Sequence, residues 1–262
     1  MRRDSISDLE DIIRTGMFLT NIHCDFAFDE AVTVTVATPY LTVGTGGTTT
    51  SFDAPLNSGS GSSNLTFRYT VQPDDVSADL AYLATTSLNI NGATMRDSNN
   101  NDAVLTLPAP GAANSLSNNQ AIIIDGIPPR VTGVTGPNGT YKAGDTVDIV
   151  VTFDDTVTVA TAIPYLTVGT GATTTSFNAP LTAGSGSANL TFTYTVQTDD
   201  VTADLAYLAT TSLNLNSATI RDGNANNAIL TLPAPGAAGS LSNNQAIIID
   251  GIPPRVTGVT GP

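Results

Sequence analysis

The chain repeats itself. Asp125-Gly126-Ile127-Pro128-Pro129-Arg130-Val131-Thr132-Gly133-Val134-Thr135-Gly136-Pro137 returns letter for letter as Asp250 to Pro262. The offset, 250 less 125, is 125 residues, and it aligns most of the sequence between. Pro39–Gly46 recurs as Pro164–Gly171, and Asn64–Phe67 as Asn189–Phe192. From Phe28 and Phe153 onward about four positions in five are identical. A fixed repeat constrains architecture more than any local propensity, because each copy must build the same unit. About 125 residues suffice for one domain with its own core. The expected division is a non-repeat leader 1–27, a first repeat 28–125 lacking its opening strands, a complete second repeat 126–250, and the start of a truncated third repeat at 251–262.

Residues 1–27 stand where Gly126–Thr152 stand in the second copy but share little with them. They read as a short helix: Ser7 and Glu10 form a capping box, Ile6, Leu9, Ile12 and Ile13 an apolar stripe, and Gly16 a stop. Two accounts stand, a genuine N-terminal cap and a truncated or mis-assigned gene start that replaced two strands. His23 and Cys24 lie here, and an adjacent His-Cys pair alone is a weak metal signal.

Elsewhere the pattern is β. In the complete copy Arg130–Thr135 reads as a strand. Val147, Ile149, Val151 and Phe153 alternate with polar residues, and Asp154-Asp155 is expected to break that strand. Leu190, Phe192, Tyr194 and Val196 alternate with Thr191, Thr193 and Thr195. Val157–Val159, Tyr165–Val168, Thr173–Phe177, Leu205–Leu208, Leu213–Arg221, Ile229–Leu232 and Ala246–Ile249 are further extended pieces. Short strands with frequent turns predict an all-β chain of antiparallel sandwiches.

Charge and composition narrow the function. With 23 Asp plus Glu against 9 Lys plus Arg, the formal charge is −14, which argues against nucleic acid as a partner. Acidity suits both a solvated surface and hard cations. One cysteine excludes an internal disulfide framework, and no apolar run approaches the roughly 20 residues of a membrane span. The repeat contains no histidine, so no Ser/His/Asp set exists within it, and the expectation is a protein that is not an enzyme. The Gly-rich loops Gly44–Gly47 and Ser58–Gly61 precede no helix, so they are not phosphate cradles. Thr48-Thr49-Thr50 reads as solvent-facing strand rather than an ice- or sugar-binding ladder.

Calcium is the best-motivated ligand. Asp97, Asn99 and their neighbours, and Asp222 and Asn224, place side-chain oxygens at alternate loop positions, and Ca²⁺ takes six to eight oxygens. The competing reading is a plain Asx turn. Asp154, Asp155 and Asp222 are expected to converge with the joint residue Asp125 at one pole of a sandwich, with Asp250 repeating that role at the next joint.

The runs Asp125–Asp155, Leu190–Gln197, Ala218–Ala228 and Leu230–Gly251 resemble the bacterial immunoglobulin-like tandem repeats of large surface and secreted adhesins, biofilm-associated proteins among them. The resemblance covers residues 28–262. It implies immunoglobulin-like sandwiches in an extracellular array that serves as a structural and adhesive extender, with calcium stiffening the joints of some members. Its partners would be neighbouring repeats, and cell-surface glycans or proteins if the module binds ligands instead. Phe28–Val32 and Phe153–Val157 match a segment usual in such repeats. The family's loop order Asp-x-Ala-Gly-Asn is altered at Asp222–Asn226.

Overall fold

A computed structural model of the chain describes residues 21–46, 50–171 and 175–261. The helix expected over residues 6–13, Gly47 and the threonines at 48 and 49 lie outside the described residues. The described residues are nearly all β, 46% strand and 3% helical, with curled antiparallel sheets. It divides into two compact units, Met1–Ile127 and Pro128–Pro262.

In the first unit β1 (Asn21–Thr35), β2 (Tyr40–Gly44), β3 (Ser51–Ser58), β4 (Ser62–Thr70), β5 (Val76–Ser77), β6 (Leu88–Asn89), β7 (Thr94–Arg96) and β8 (Ile124–Asp125) follow in order. The main sheet has the order β6-β2-β3-β4-β1-β7, and β5 pairs with β8. In the second unit β9 (Val131–Thr135), β10 (Gly139–Tyr141), β11 (Thr146–Ala160), β12 (Tyr165–Gly169), β13 (Ser176–Ala183), β14 (Ser187–Thr195), β15 (Val201–Thr202), β16 (Leu213–Asn214), β17 (Thr219–Arg221) and β18 (Ile247–Asp250) follow. Their main sheet runs β16-β12-β13-β14-β11-β17, with β9 on β11, and a smaller sheet runs β10-β18-β15. β10 and β18 run parallel; the other ladders are antiparallel. Four-residue helical turns sit at Leu116–Asn119 and Leu241–Asn244.

Registers obey the sequence offset. Tyr40↔Pro55 becomes Tyr165↔Pro180, and Asn21↔Thr70 becomes Thr146↔Thr195. The latter corrects the sequence boundary. Residues 21–27, expected in a non-repeat leader, form the first half of β1 and occupy the place of Thr146–Thr152. Ladder pairing requires backbone groups and the right alternation, not identity. Ile22 and Cys24 are buried, as are Val147 and Ile149 at the equivalent places. One of the two opening strands counted as missing therefore has a counterpart made from unrelated residues.

A second correction concerns Asp154-Asp155. They do not end their strand. β11 continues to Ala160, with the step from Thr152 to Val157 matched on β14 only by the step from Asn189 to Ser187. Such a bulge absorbs extra residues, bends the strand and lets it change partners. The first half of β11 pairs with β14 and the second half with β17. β13 likewise pairs first with β12 and then with β14. These changes of partner curl the sheets around the cores.

The alternation predicted at Leu190, Phe192, Tyr194 and Val196 is present, with all four fully or almost fully buried. The pieces expected at Leu205–Leu208 and Ile229–Leu232 are single bridges instead, Val168↔Tyr207 and Arg130↔Ile229. Leu213–Arg221 is two short strands separated by a turn.

Candidate functional site

The strongest constellation lies where each unit ends. Tyr69 and Tyr194 are completely buried on β4 and β14. The Tyr69 hydroxyl donates to Asp75 Oδ2 at 2.6 Å, and the Gln72 N–H donates to the same oxygen at 2.8 Å. In the second unit the Tyr194 hydroxyl and the Gln197 N–H donate to Asp200 Oδ2. Both aspartates are only 1% exposed. Burial, then the hydrogen bond to the aspartate, then its charge, push both tyrosine hydroxyls far above their ordinary range. They stay protonated and serve as donors, not acids.

The turn that carries each aspartate holds the joint. Gly126 N–H donates to Asp75 O at 2.7 Å, and Asp74 N–H returns a bond to Gly126 O at 2.8 Å. Gly251 repeats this with Asp200 and Asp199 at 2.7 and 3.0 Å. A Cβ on Gly126 or Gly251 would stand 2.4 Å from the carbonyl oxygen of Gln72 or Gln197, so only glycine fits. The Asp-Gly of the joint is thus clamped to the unit that precedes it. Asp74 and Asp199 hold positive φ, 68° and 69°, and Arg255 Nη2 meets Asp199 Oδ1 at 2.9 Å. The sequence marks Tyr194 only as one residue of an alternating strand, and it does not single out Asp75 or Asp200. The signal available was the fixed Tyr-to-Asp spacing in both copies.

The residues proposed for calcium have other partners. Asp222 Oδ1 accepts the N–H groups of Asn224 and Asn226, both at 2.8 Å, and Oδ2 accepts Asn226 Nδ2 at 2.8 Å. Asp97 does the same with Asn99 N–H at 2.9 Å and with Asn101 N–H and Nδ2 at 2.8 Å. Both loops are closed by their own first carboxylate. Asp125 Oδ1 accepts Ile127 N–H at 3.2 Å, and Asp250 Oδ1 accepts Ile252 N–H at 3.4 Å. Asp155 Oδ1 accepts Thr156 N–H at 2.6 Å.

Part of the expected convergence exists within the second unit. Asp154 Oδ1 accepts Arg130 N–H at 2.6 Å, and Asp154 N–H donates to Arg130 O at 2.9 Å. Arg130 also bridges Ile229, just beyond the Asp222 loop, and Ile229 N–H donates to Pro129 O at 2.8 Å. The bulge and the segment after the loop therefore meet along Pro129-Arg130. Among the described residues, no three His, Cys, Asp or Glu side chains form a group that could hold a metal ion.

Cys24 is buried in the first core at 1% exposure, and burial, helped by Asp25, pushes its thiol up to about 12. It is a core residue. A shallow surface depression lined by Val34, Thr38, Leu56, Ser58 and Ser60 has no aromatic wall. Among the described residues no helix is long and apolar enough to cross a membrane.

No protein-family model matches the chain, and no curated protein or solved structure matches it.

Proposed function

We propose that the chain is a pair of immunoglobulin-like β-sandwich repeats that act as an extender in an extracellular or cell-surface array of the adhesin type. The observation that carries this reading is the copying of one unit with its closing clamp. The registers of β1–β4 recur in β11–β14, and Tyr69, Asp75 and Gly126 recur as Tyr194, Asp200 and Gly251. A unit that finishes by clamping its own exit segment, followed by Pro-Pro with fixed φ, suits a string of repeats under tension. No catalytic role is assigned, and the partners are neighbouring repeats.

Calcium belongs to the same proposal as the ion that stiffens the joints. Its support is the charge of −14 and the acidic loops. The closed Asx turns at Asp97 and Asp222 favour a purely structural role for those two loops.

Small-angle scattering of the whole chain, with and without Ca²⁺, tests both parts. The extender reading expects a profile of two units in line, and a compact globular profile would overturn it. The calcium part expects longer dimensions and a raised melting temperature with Ca²⁺. Unchanged values remove calcium and leave the extender. Saturable binding of one glycan by the chain would instead favour a ligand-binding module.

A further inference from the structure

The chain holds two Asn-Gly pairs, Asn91-Gly92 and Asn138-Gly139, and both are exposed. An asparagine followed by glycine is open to attack by its own backbone. The next residue's nitrogen can reach the side-chain Cγ, and glycine has no Cβ to obstruct the approach. The fold treats the two pairs differently.

Asn138-Gly139 is tied at both reacting ends. Gly139 N–H donates to Ala246 O at 3.1 Å, and Asn138 Oδ1 accepts Ala246 N–H at 2.9 Å. Ala246 leads directly into β18, so neither the glycine nitrogen nor the side-chain amide can turn without pulling on the small sheet. Asn91-Gly92 lies in the turn between β6 and β7. Among the described residues Gly92 N–H makes no hydrogen bond, and Gly92 sits at φ 76°. The second unit supplies a matched comparison. Asn91 and Asn216 share φ 49°, and their Nδ2 groups donate to Thr38 O and Ile163 O, both at 3.1 Å. The residue that follows is what differs: Ser217, with a Cβ, holds φ 67° at the place of Gly92.

We propose that Asn91-Gly92 is a modification site of the native chain, where spontaneous succinimide formation converts Asn91 to aspartate and isoaspartate. The Gly92 nitrogen gives its proton to water and bonds to Asn91 Cγ. The Cγ–Nδ2 bond breaks, and Nδ2 takes a proton from water and leaves as ammonia. Water then opens the ring. Cleavage of the new Cγ–N bond gives aspartate, and cleavage of the original peptide bond gives isoaspartate. One water is consumed and one ammonia released. Either product replaces the amide donor by a carboxylate, which cannot donate to Thr38 O, so the turn loses its tie to the segment between β1 and β2. The inference is independent of the extender reading.

The test is ageing of the full chain at mildly alkaline pH, followed by peptide mapping in a mass spectrometer and enzymatic detection of isoaspartate. Conversion at Asn91 should run several-fold faster than at Asn138 or Asn216. Gly92→Ser should bring Asn91 down to the rate of Asn216. That variant keeps the fold, because nothing lies within 4 Å of a Cβ added at Gly92 and the second unit carries serine there. In denaturant Asn91 and Asn138 should convert at similar rates, because the ties to Ala246 are gone. Conversion at Asn138 as fast as at Asn91 in the native chain would overturn the proposal. So would an unchanged rate at Asn91 in Gly92→Ser, or a native Asn91 that stays intact while the denatured chain converts.

Discussion

The Tyr194 hydroxyl reaches six residues along the chain to Asp200 Oδ2, in a place where both residues are sealed from solvent. Asp200 Oδ1 is also buried, and it has no hydrogen-bond partner among the described residues. All of this carboxylate's stabilisation is therefore concentrated on Oδ2, which serves the tyrosine and the Gln197 N–H. Removing one donor leaves a buried acceptor short, which costs about 1–3 kcal/mol. Tyr194→Phe should destabilise the second unit by about that amount in denaturant unfolding of the full chain. Tyr69→Phe should do the same to the first unit. An unchanged midpoint for either variant would remove the clamp from the account.

Gly126 and Gly251 answer to the same turn. A methyl group at either would overlap backbone oxygen 2.4 Å away, and backbone cannot swing aside as a side chain does. Gly251→Ala should cost about 1–3 kcal/mol by overpacking and should speed hydrogen exchange at the amides of Gly251 and Asp199. Gly223→Ala is the control, because nothing lies within 4 Å of its added Cβ. Equal exchange rates in wild type and Gly251→Ala would contradict the close fit.

Asp97 gives a pH prediction. The Asn101 side-chain amide, followed by the Asn101 backbone N–H, holds its carboxyl below the ordinary carboxylate range. A group depressed on folding stabilises the folded loop above its unfolded value, near 3.9. That contribution falls away as the pH drops through the lower, folded value. Protection of the Asn99 and Asn101 amides, taken against the intrinsic exchange rate at each pH, should fall in that acid window and stay constant between pH 5 and 7. Asp97→Asn should abolish the acid step. A step centred at the ordinary value would show that the turn does not hold the carboxylate.

Cys24 is a built-in reporter. Its thiol, pushed up to about 12 and buried, presents almost no thiolate at pH 8, and thiolate is the reacting form. A thiol reagent should modify the native chain far more slowly than the denatured chain. Tyr69→Phe should accelerate labelling and Tyr194→Phe should not, because Cys24 belongs to the first core. Rapid labelling of the native chain would show that β1 does not stay closed.

Several elements were legible from residues alone. The alternation of Leu190, Phe192, Tyr194 and Val196 predicts a strand with one buried face, and that face is buried. Asp154-Asp155 was misread because two adjacent carboxylates usually end a strand. Here a bulge carries them outward while β11 goes on to Ala160. The leader was misread for a different reason. Identity with the second copy stops at Phe28, but Ile22, Cys24, Phe26 and Phe28 keep the period of Val147, Ile149, Val151 and Phe153, and period is what a ladder requires. The acidic loops were ambiguous because Asx turns and calcium loops use the same residue types at the same spacing.

Local chemistry, repeated at a fixed offset, determines that this chain is β and that it is built from one unit twice over. Those properties depend on backbone preference and alternation within a few residues. Tertiary structure decided the rest. β1 meets β4 across 49 residues at Asn21↔Thr70, and Gly126 meets Asp75 across 51. Which donor finds which acceptor over such separations depends on how whole strands stack and bend. Only the folded sheet could show that Asp75 and Asp200 are buried anchors of the joint while Asp97 and Asp222 close their own loops.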